Sequence, residues 1–303
     1  MTTVVVGACG LVGRAVCRVL ASSPEASAVA LVRRPPSEDL GIPWTVAEVG
    51  RSQSDLKVLA SADIVIWVAG GADHGLGDRD PVANLAANTL PLLALFEVFH
   101  GRLVMLSSQA VYSGLAGSAI DEDVDHVPNM AYGLSKLIAE RHAMWARERD
   151  ELAGLWIHRL MYTFGTGEAP RRLLPRLVRA ANDGQEATVA GGGRSFLNPL
   201  PVSFLAQVLV RSASDLEHSP STGSVVTNIC HPRSMTVHDV VELVRRRTGV
   251  SVRFHDGGEP WPVRFQGSPA RLGSHLSRWG LEFPDPESEI SRYVDEMRKE
   301  EVR

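Results

Sequence analysis

VVVGACGLVGRAV, residues 4–16, decides the reading of the fold. A run of β-branched residues ends at Gly7, and an apolar helical pattern starts at Leu11. Glycines fall at positions 7, 10 and 13, a G-x-x-G-x-x-G spacing. That spacing lets the chain turn tightly and lets a pyrophosphate approach bare backbone N–H groups at a helix N-terminus. A side chain at Gly10 would obstruct the approach, and Gly13 lets the helix pack close to the sheet. Three glycines alone say little, because turns are rich in glycine. A strand before them, a helix after them and a second strand soon afterwards make the signal specific. Gly7, Gly10, Leu11, Val12 and Gly13 are therefore the expected dinucleotide contacts, and Cys9 within the loop reads as a small filler.

The pattern extends outward from this turn. Short apolar runs at Thr3–Val6, Ala28–Val32, Trp44–Val46, Ile64–Val68, Leu103–Leu106 and Leu155–His158 read as strands covered on both faces. Helical stretches lie between them at Leu11–Leu20, Asp55–Ala60, Asn84–Phe99 and Tyr132–Arg149. Such alternation predicts an α/β chain with a doubly wound parallel sheet. After Phe164 the rhythm changes. Helices are expected at Leu173–Asn182, Val202–Ser212, Val237–Thr248 and Glu289–Arg298, with a strand at Val225–Ile229. Residues 1–164 are thus expected to form a dinucleotide-binding domain, to which the chain returns at about 200–230. Residues 165–303 are expected to form mainly a smaller α/β substrate lobe.

Composition narrows the function classes. No apolar run approaches the ~18 residues that a membrane helix needs. A formal net charge of −4 argues against general nucleic-acid binding. The opening residues carry no basic or apolar leader pattern. Cys9, Cys17 and Cys230 are too few and scattered for a disulfide framework or a zinc site. The expectation is a reduced, cytoplasmic protein without a structural metal. The ten histidines form no spaced ligand set. DEDVDH, residues 121–126, fails as a calcium loop, since His126 and Tyr132 stand where Gly and Glu are required.

The second strand ends in Leu31-Val32-Arg33-Arg34, with no acid before Glu38. An NAD-selective site usually places Asp or Glu there for the ribose hydroxyls. Guanidinium groups instead suit a 2′-phosphate through charge-assisted hydrogen bonds. Arg33 first and Arg34 second favour NADP(H); if they only edge the adenine pocket, NAD(H) also fits.

Tyr132 and Lys136 stand four residues apart, on one face of a helix. A nearby ammonium stabilises a phenolate, so that the tyrosine can give or take a proton at a carbinol oxygen. The same spacing also fits a surface tyrosine with a solvated lysine. Ser107-Ser108 ends a strand 24 residues before Tyr132. A serine there points into the crevice where parallel sheets bind ligands, and can donate to a developing oxyanion. Ser108 takes that role, and Ser107 reads as a helper of the turn.

GACGLVG, WVAGG, NTLPLLALFEVF, LSSQAVY, YGLSK and HRLMYTFGTG follow one another in a familiar order. The chain resembles an extended short-chain dehydrogenase/reductase of the NAD-dependent epimerase/dehydratase family over nearly its full length. The resemblance implies a Rossmann-type large domain and a C-terminal substrate lobe. It implies a catalytic set of Ser108, Tyr132 and Lys136, with Lys136 also on the nicotinamide ribose. It further implies that Asn88 serves a proton relay or the cofactor, and that Ala69-Gly70 lies beside the adenosine ribose. Dimerisation through the helices at 84–99 and 132–149 is also implied, although their apolar residues equally suit the core.

Departures from the family pattern refine this. Gln109 and Ala110 replace the Asp-Glu pair of sugar 4,6-dehydratases, which argues against dehydration. In the lobe, Asn198-Pro199 precede Pro201-Val202-Ser203 where nucleotide-sugar epimerases usually carry an arginine before an aromatic and a V-D-D type stretch. Arg194 or Arg264 would then be the diphosphate contact, and Gln109 and Asn198 are further candidate substrate contacts. The leading expectation is a ketoreductase that uses NADPH on a keto-sugar, plausibly nucleotide-linked, because the VRRPP turn also resembles deoxysugar 4-ketoreductases. The alternative is a nucleotide-sugar epimerase with a retained cofactor. A non-catalytic NADP-sensing protein is a third reading, against which the intact Ser108, Tyr132 and Lys136 speak.

Overall fold

The computed structural model describes residues 1–23, 27–50, 56–71, 74–218, 224–258 and 262–301. In chain order the first elements are β1 (Thr2–Val6), α1 (Leu11–Ala21), β2 (Ser27–Val32), β3 (Trp44–Val46), α2 (Lys57–Ala60) and β4 (Ile64–Trp67). Then come α3 (His74–Arg79), α4 (Pro81–Phe96), β5 (Arg102–Ser108), β6 (Ala116–Ile120), α5 (Ala131–Glu148), β7 (Gly154–Leu160) and β8 (Tyr162–Phe164). The chain continues through α6 (Leu173–Asn182), β9 (Glu186–Val189), β10 (Phe196–Leu197), β11 (Pro199–Pro201), α7 (Val202–His218) and β12 (Ser224–Ile229). Last are β13 (Met235–Thr236), α8 (Val237–Thr248), β14 (Ser251–Phe254), β15 (Arg264–Gly267), α9 (Ala270–Trp279) and α10 (Pro286–Glu301).

Seven strands form one sheet in the order β12-β7-β5-β4-β1-β2-β3, and every pairing in it is parallel. The strand order reverses direction at β1, as a doubly wound sheet requires. Its central strands are apolar on both faces because helices cover both. Val4, Val5, Ile66, Leu103 and Val104 have essentially no exposed surface. Burial of each such side chain stabilises the fold by ~1.5–3 kcal/mol.

The chain divides into two compact units. The first comprises Met1–Gly114, Glu122–Leu160 and Leu205–Ile229, and carries the seven-stranded sheet. Its core joins Val4, Val65, Trp67, Leu92, Leu95, Phe99, Leu103, Ala139 and Ala143. The second comprises Leu115–Asp121, Met161–Phe204 and Cys230–Arg303. It holds four two-stranded sheets, β10-β13, β11-β8, β14-β9 and β15-β6, among the described residues. Its core gathers α6, α8 and α10 through Leu174, Leu177, Val240, Val244, Ile290 and Val294. A capping box starts α8: Thr236 accepts from the Asp239 N–H, and Asp239 accepts from the Thr236 N–H. Gly249 ends the helix in the left-handed conformation.

Local chemistry also sets helix boundaries in the first unit. α4 begins at Pro81, earlier than the expected Asn84, because Asp80 caps it by accepting from Ala83 N at 2.9 Å. Asp55, the expected start of α2, lies outside the described residues. No helix among the described residues is long and apolar enough to cross a membrane.

Candidate active site

The three glycines of the first turn are there for different reasons. Gly7 adopts φ +94°, and a Cβ on it would lie 2.6 Å from Ala69 N. Gly13 sits in the first turn of α1, where a Cβ would come within 2.2 Å of the Gly7 carbonyl oxygen. Both are demanded by the protein itself. Gly10 is not: its backbone is ordinary (φ −79°), and a Cβ there would meet only the Gly7 oxygen, at 3.4 Å. The space in front of Gly10 is therefore room for a ligand. α1 has no side-chain cap at its N-terminus, so its first N–H groups are left for an anion. This cradle fits a pyrophosphate. Leu11 and Val12, half-buried, form the helix start beside it.

Arg33 and Arg34 follow β2 and are exposed, and neither makes an ion pair among the described residues. Ala69 and Gly70 follow β4. Ala69 lies against Gly7, and Gly70 lies against both the Asn88 side-chain oxygen and the Lys136 ammonium. The glycine turn is thus continuous with the polar residues of α4 and α5.

Tyr132 and Lys136 lie on α5, and both are buried. That removes the reading as a surface tyrosine with a solvated lysine. Gly133, between them, lets α5 touch the 3-10 turn Gln109–Tyr112; a Cβ there would be 2.2 Å from the Ala110 oxygen. This close contact brings Tyr132 beside Ser108, whose hydroxyl accepts from Ala110 N at 3.2 Å. Burial pushes the Tyr132 phenol above its ordinary range, and the neighbouring Ser108 hydroxyl acts in the opposite direction. Lys136 donates to the Leu106 carbonyl at 2.9 Å, and burial pulls it down to about 8 against the raising effect of Glu140. The expectation that Lys136 depresses the Tyr132 value is not what governs the phenol in this structure; burial is.

Asn88 is fully engaged. Its oxygen accepts from Gly71 N at 3.0 Å, and its amide nitrogen donates to Asn84 O at 3.1 Å and to Ser135 Oγ at 3.2 Å. Ser135 in turn donates to the Tyr132 carbonyl at 2.8 Å. Asn88 thereby clasps the end of the β4 segment to the first turn of α5.

Several residues around the site gave no distinct sequence signal. Asp78 accepts from Ala131 N at 2.9 Å and so caps α5 from α3, one residue before Tyr132. Ser107, expected to help the turn, is buried and donates instead to Glu140 on α5. Glu140 is paired with Arg159 of β7 at 2.8 Å, and neither side chain reaches solvent. The spacing of Glu140, four residues past Lys136, was the available clue.

In the second unit, Arg194 is exposed and pairs with Asp256 at 2.8 Å. Asn198 is buried and donates to the His231 carbonyl at 3.2 Å, so its amide holds two segments of that unit together. Arg264 is exposed at the start of β15. His231 accepts from Arg233 N at 2.9 Å, as a loop histidine does. No cluster of metal-ligating side chains occurs among the described residues.

Comparison with known proteins places this geometry. The profile of the NAD dependent epimerase/dehydratase family matches residues 3–200. A curated relative, the low-salt glycan biosynthesis protein Agl12 of Haloferax volcanii, is 27% identical over 140 residues. That match covers 45% of this chain and 45% of the relative, so the chain spans less than half of that protein's length. Among solved structures, MoeE5 in complex with UDP-glucuronic acid and NAD superposes with a TM-score of 0.86 at 25% identity. The superposition covers 99% of this chain and 100% of that one. UDP-glucose 4-epimerase from Stenotrophomonas maltophila, with bound NAD and formylated UDP-arabinopyranose, has a TM-score of 0.85 at 19% identity, covering 100% and 99%. UDP-glucuronic acid 4-epimerase from Bacillus cereus, with UDP-glucuronic acid and NAD, gives 0.84 at 17%, covering 99% of each chain. At these lower identities the last two speak for the fold.

Proposed function

The chain belongs to the NAD dependent epimerase/dehydratase family of short-chain dehydrogenase/reductase enzymes, and from that membership we propose that it epimerises a nucleotide sugar by oxidising and rebuilding one carbinol centre. The observation that carries the proposal is the burial of Tyr132 and Lys136 together on α5, with Ser108 beside them at the end of β5, in the unit that also holds the glycine cradle. A nicotinamide dinucleotide, when bound, supplies the hydride chemistry. Gly7, Gly10, Leu11, Val12 and Gly13 would hold its pyrophosphate, and Ala69 and Gly70 would flank its adenosine end. Lys136 would reach its nicotinamide ribose.

Tyr132, as a phenolate, takes the hydroxyl proton as the carbinol becomes a ketone, and as a phenol returns it when the carbinol is rebuilt. Ser108 holds that oxygen by a hydrogen bond while charge develops on it. Lys136, as an ammonium, would stabilise the Tyr132 phenolate against the burial that disfavours it. Asn88 keeps the Tyr132 turn in place through Ser135. Gln109 and Ala110 offer no carboxyl group beside Ser108, which argues against dehydration.

Two of the named solved relatives are 4-epimerases, and MoeE5 was captured with a UDP-sugar and NAD. These support the epimerase reading and a UDP-linked substrate over the reductase expected first from the sequence. The reductase remains the second reading because of Arg33 and Arg34, which favour NADPH over NAD. A panel of UDP-sugars separates the two. Formation of the epimer without net change in nicotinamide absorbance supports the proposal. Stoichiometric consumption of NADPH would replace it with a ketoreductase.

A homodimer through α4 and α5 is part of the same proposal. Val82, Leu85 and Leu90 on α4, and Leu134 and Trp145 on α5, are large apolar residues left exposed. Leu134 and Trp145, eleven residues apart, share one face of α5.

A further inference from the structure

The polar face of α5 continues beyond Lys136. One helical turn further on stands Glu140, with no exposed surface. Arg159 grips its carboxylate from β7: Nη2 donates to Oε2 at 2.8 Å, and Nε lies 3.2 and 3.1 Å from Oε1 and Oε2. The same carboxylate accepts the hydroxyl of Ser107, the residue before Ser108. The remaining guanidinium nitrogen, Nη1, donates to the Tyr112 hydroxyl at 2.6 Å and to the Glu122 carbonyl at 2.9 Å. Tyr112 donates onward to Asn228 Oδ1 at 2.9 Å.

Stability does not account for this arrangement. Desolvation of two buried charges consumes most of their attraction, and apolar residues of similar volume commonly do as well or better. Geometry does account for it. The carboxylate ties the end of β5, the middle of α5 and the end of β7 to one point, and each tie is directional. Ser108 follows directly from the pinned Ser107, and Lys136 lies one turn before the pinned Glu140.

We propose that Glu140, pinned by Arg159 and Ser107, is a positioning residue for proton transfer: it sets Ser108 and the Tyr132–Lys136 face of α5 in register across the β5–α5 junction. Its effect on turnover rests on the function proposed above; its effect on Lys136 does not. The titratable groups that interact with it are Lys136 on α5, Arg159 on β7 and Tyr112 in the 3-10 turn after β5. His126 interacts with it from the segment leading to α5, where the Glu122 carbonyl accepts from the same Arg159. Glu140 supplies a countercharge to Lys136 and holds it up against burial. Removal of that charge therefore lets the Lys136 value fall further.

The chain has three lysines, Lys57, Lys136 and Lys299. Isotope-labelled lysine thus gives a simple NMR titration in which Lys136→Met assigns the site signal, with no need for turnover. Glu140→Gln alone strands a buried guanidinium, so the test variant is Glu140→Gln with Arg159→Met, alongside Ser107→Ala. In the double variant the Lys136 midpoint moves down by roughly one pH unit, and the alkaline limb of kcat moves with it. Ser107→Ala leaves the midpoint in place and lowers kcat roughly tenfold at unchanged KM. An unmoved Lys136 midpoint in the folded double variant, or wild-type kcat in Ser107→Ala, overturns the proposal. Should the double variant not fold, Ser107→Ala decides alone. A wild-type chain that turns over no nucleotide sugar would sink the proposed function only; the Lys136 midpoint would then decide this inference.

Discussion

The Lys136 ammonium donates to the Leu106 carbonyl oxygen across 2.9 Å, joining the middle of α5 to the last turn of β5. The group is buried, and burial pulls it down to about 8. Lysine is scarce in this chain: of the 31 basic residues, three are lysines and the other 28 are arginines. Arginine cannot replace it here. A guanidinium stays charged at any accessible pH, and its planar fork does not match a single carbonyl acceptor.

The burial of Lys136 has a stability consequence with a definite sign. A lysine whose folded value lies below its unfolded one costs stability while it is charged in both states. That cost is fully present below about 8 and disappears as pH climbs toward the ordinary 10.5. The displacement amounts to at most ~3 kcal/mol, from which the lost Leu106 hydrogen bond must be subtracted. Lys136→Met is thus expected to abolish turnover while raising the melting temperature, by more at pH 7 than at pH 10. Thermal melts at the two pH values check this.

The glycines of the first turn separate fold from function. Gly13→Ala drives a Cβ into the Gly7 oxygen and should destabilise the protein by several kcal/mol, on the order of an overpacked core. Gly10→Ala meets no such obstacle and should leave the folding stability within ~1 kcal/mol of wild type. Its dinucleotide affinity should nevertheless fall at least roughly tenfold, because the methyl group occupies the pyrophosphate position. Melting curves and fluorescence titrations with NAD and NADP measure both effects.

Arg33 and Arg34 stand exposed at the end of β2. Arg33→Ala is expected to weaken NADPH binding by roughly tenfold to a hundredfold and to leave NADH nearly unchanged. Arg34→Ala should do the same to a lesser degree. Titration of both dinucleotides against wild type and both variants reads the preference. Equal loss for the two dinucleotides would remove the 2′-phosphate from the account of these residues.

Leu134 and Trp145 present apolar surface on one face of α5. Leu134→Glu with Trp145→Glu should convert a dimer to a monomer while leaving the fold intact, since neither residue is buried. Sedimentation velocity over a range of concentrations gives the answer.

The sequence disclosed what is local and periodic. Gly7, Gly10 and Gly13 stand at fixed offsets within one strand–helix turn, and Tyr132 and Lys136 within one helical repeat. These were readable because helix and strand periods place such residues without knowledge of the rest. The same held for the seven strands of the main sheet, except for their ends. It did not hold for β6, β8–β11 and β13–β15, two to five residues each, which lie outside the strand–helix alternation that made the equally short β3 and β4 legible. α3 was also hidden, because Gly75 and Gly77 make it a poor helix former in isolation.

The Glu140–Arg159–Ser107 link escaped for a different reason. It joins residues 19 and 33 positions apart, on a helix and two strands. Arg159 lies in GLWIHRL, where a charged residue in a core strand has no periodic signature. Tyr132 illustrates the limit again. Its helical partner was legible, but the extent of its burial, which governs its proton affinity, depends on the whole β5–α5 contact.

The central claim is that Tyr132 moves the proton at the reacting carbinol. The direct measurement is the epimerisation rate of Tyr132→Phe on the best UDP-sugar of the panel, with dinucleotide affinity measured on the same preparation. The account predicts a fall in kcat of roughly 10³-fold or more with dinucleotide binding retained. A kcat within tenfold of wild type, at intact dinucleotide affinity, would contradict it.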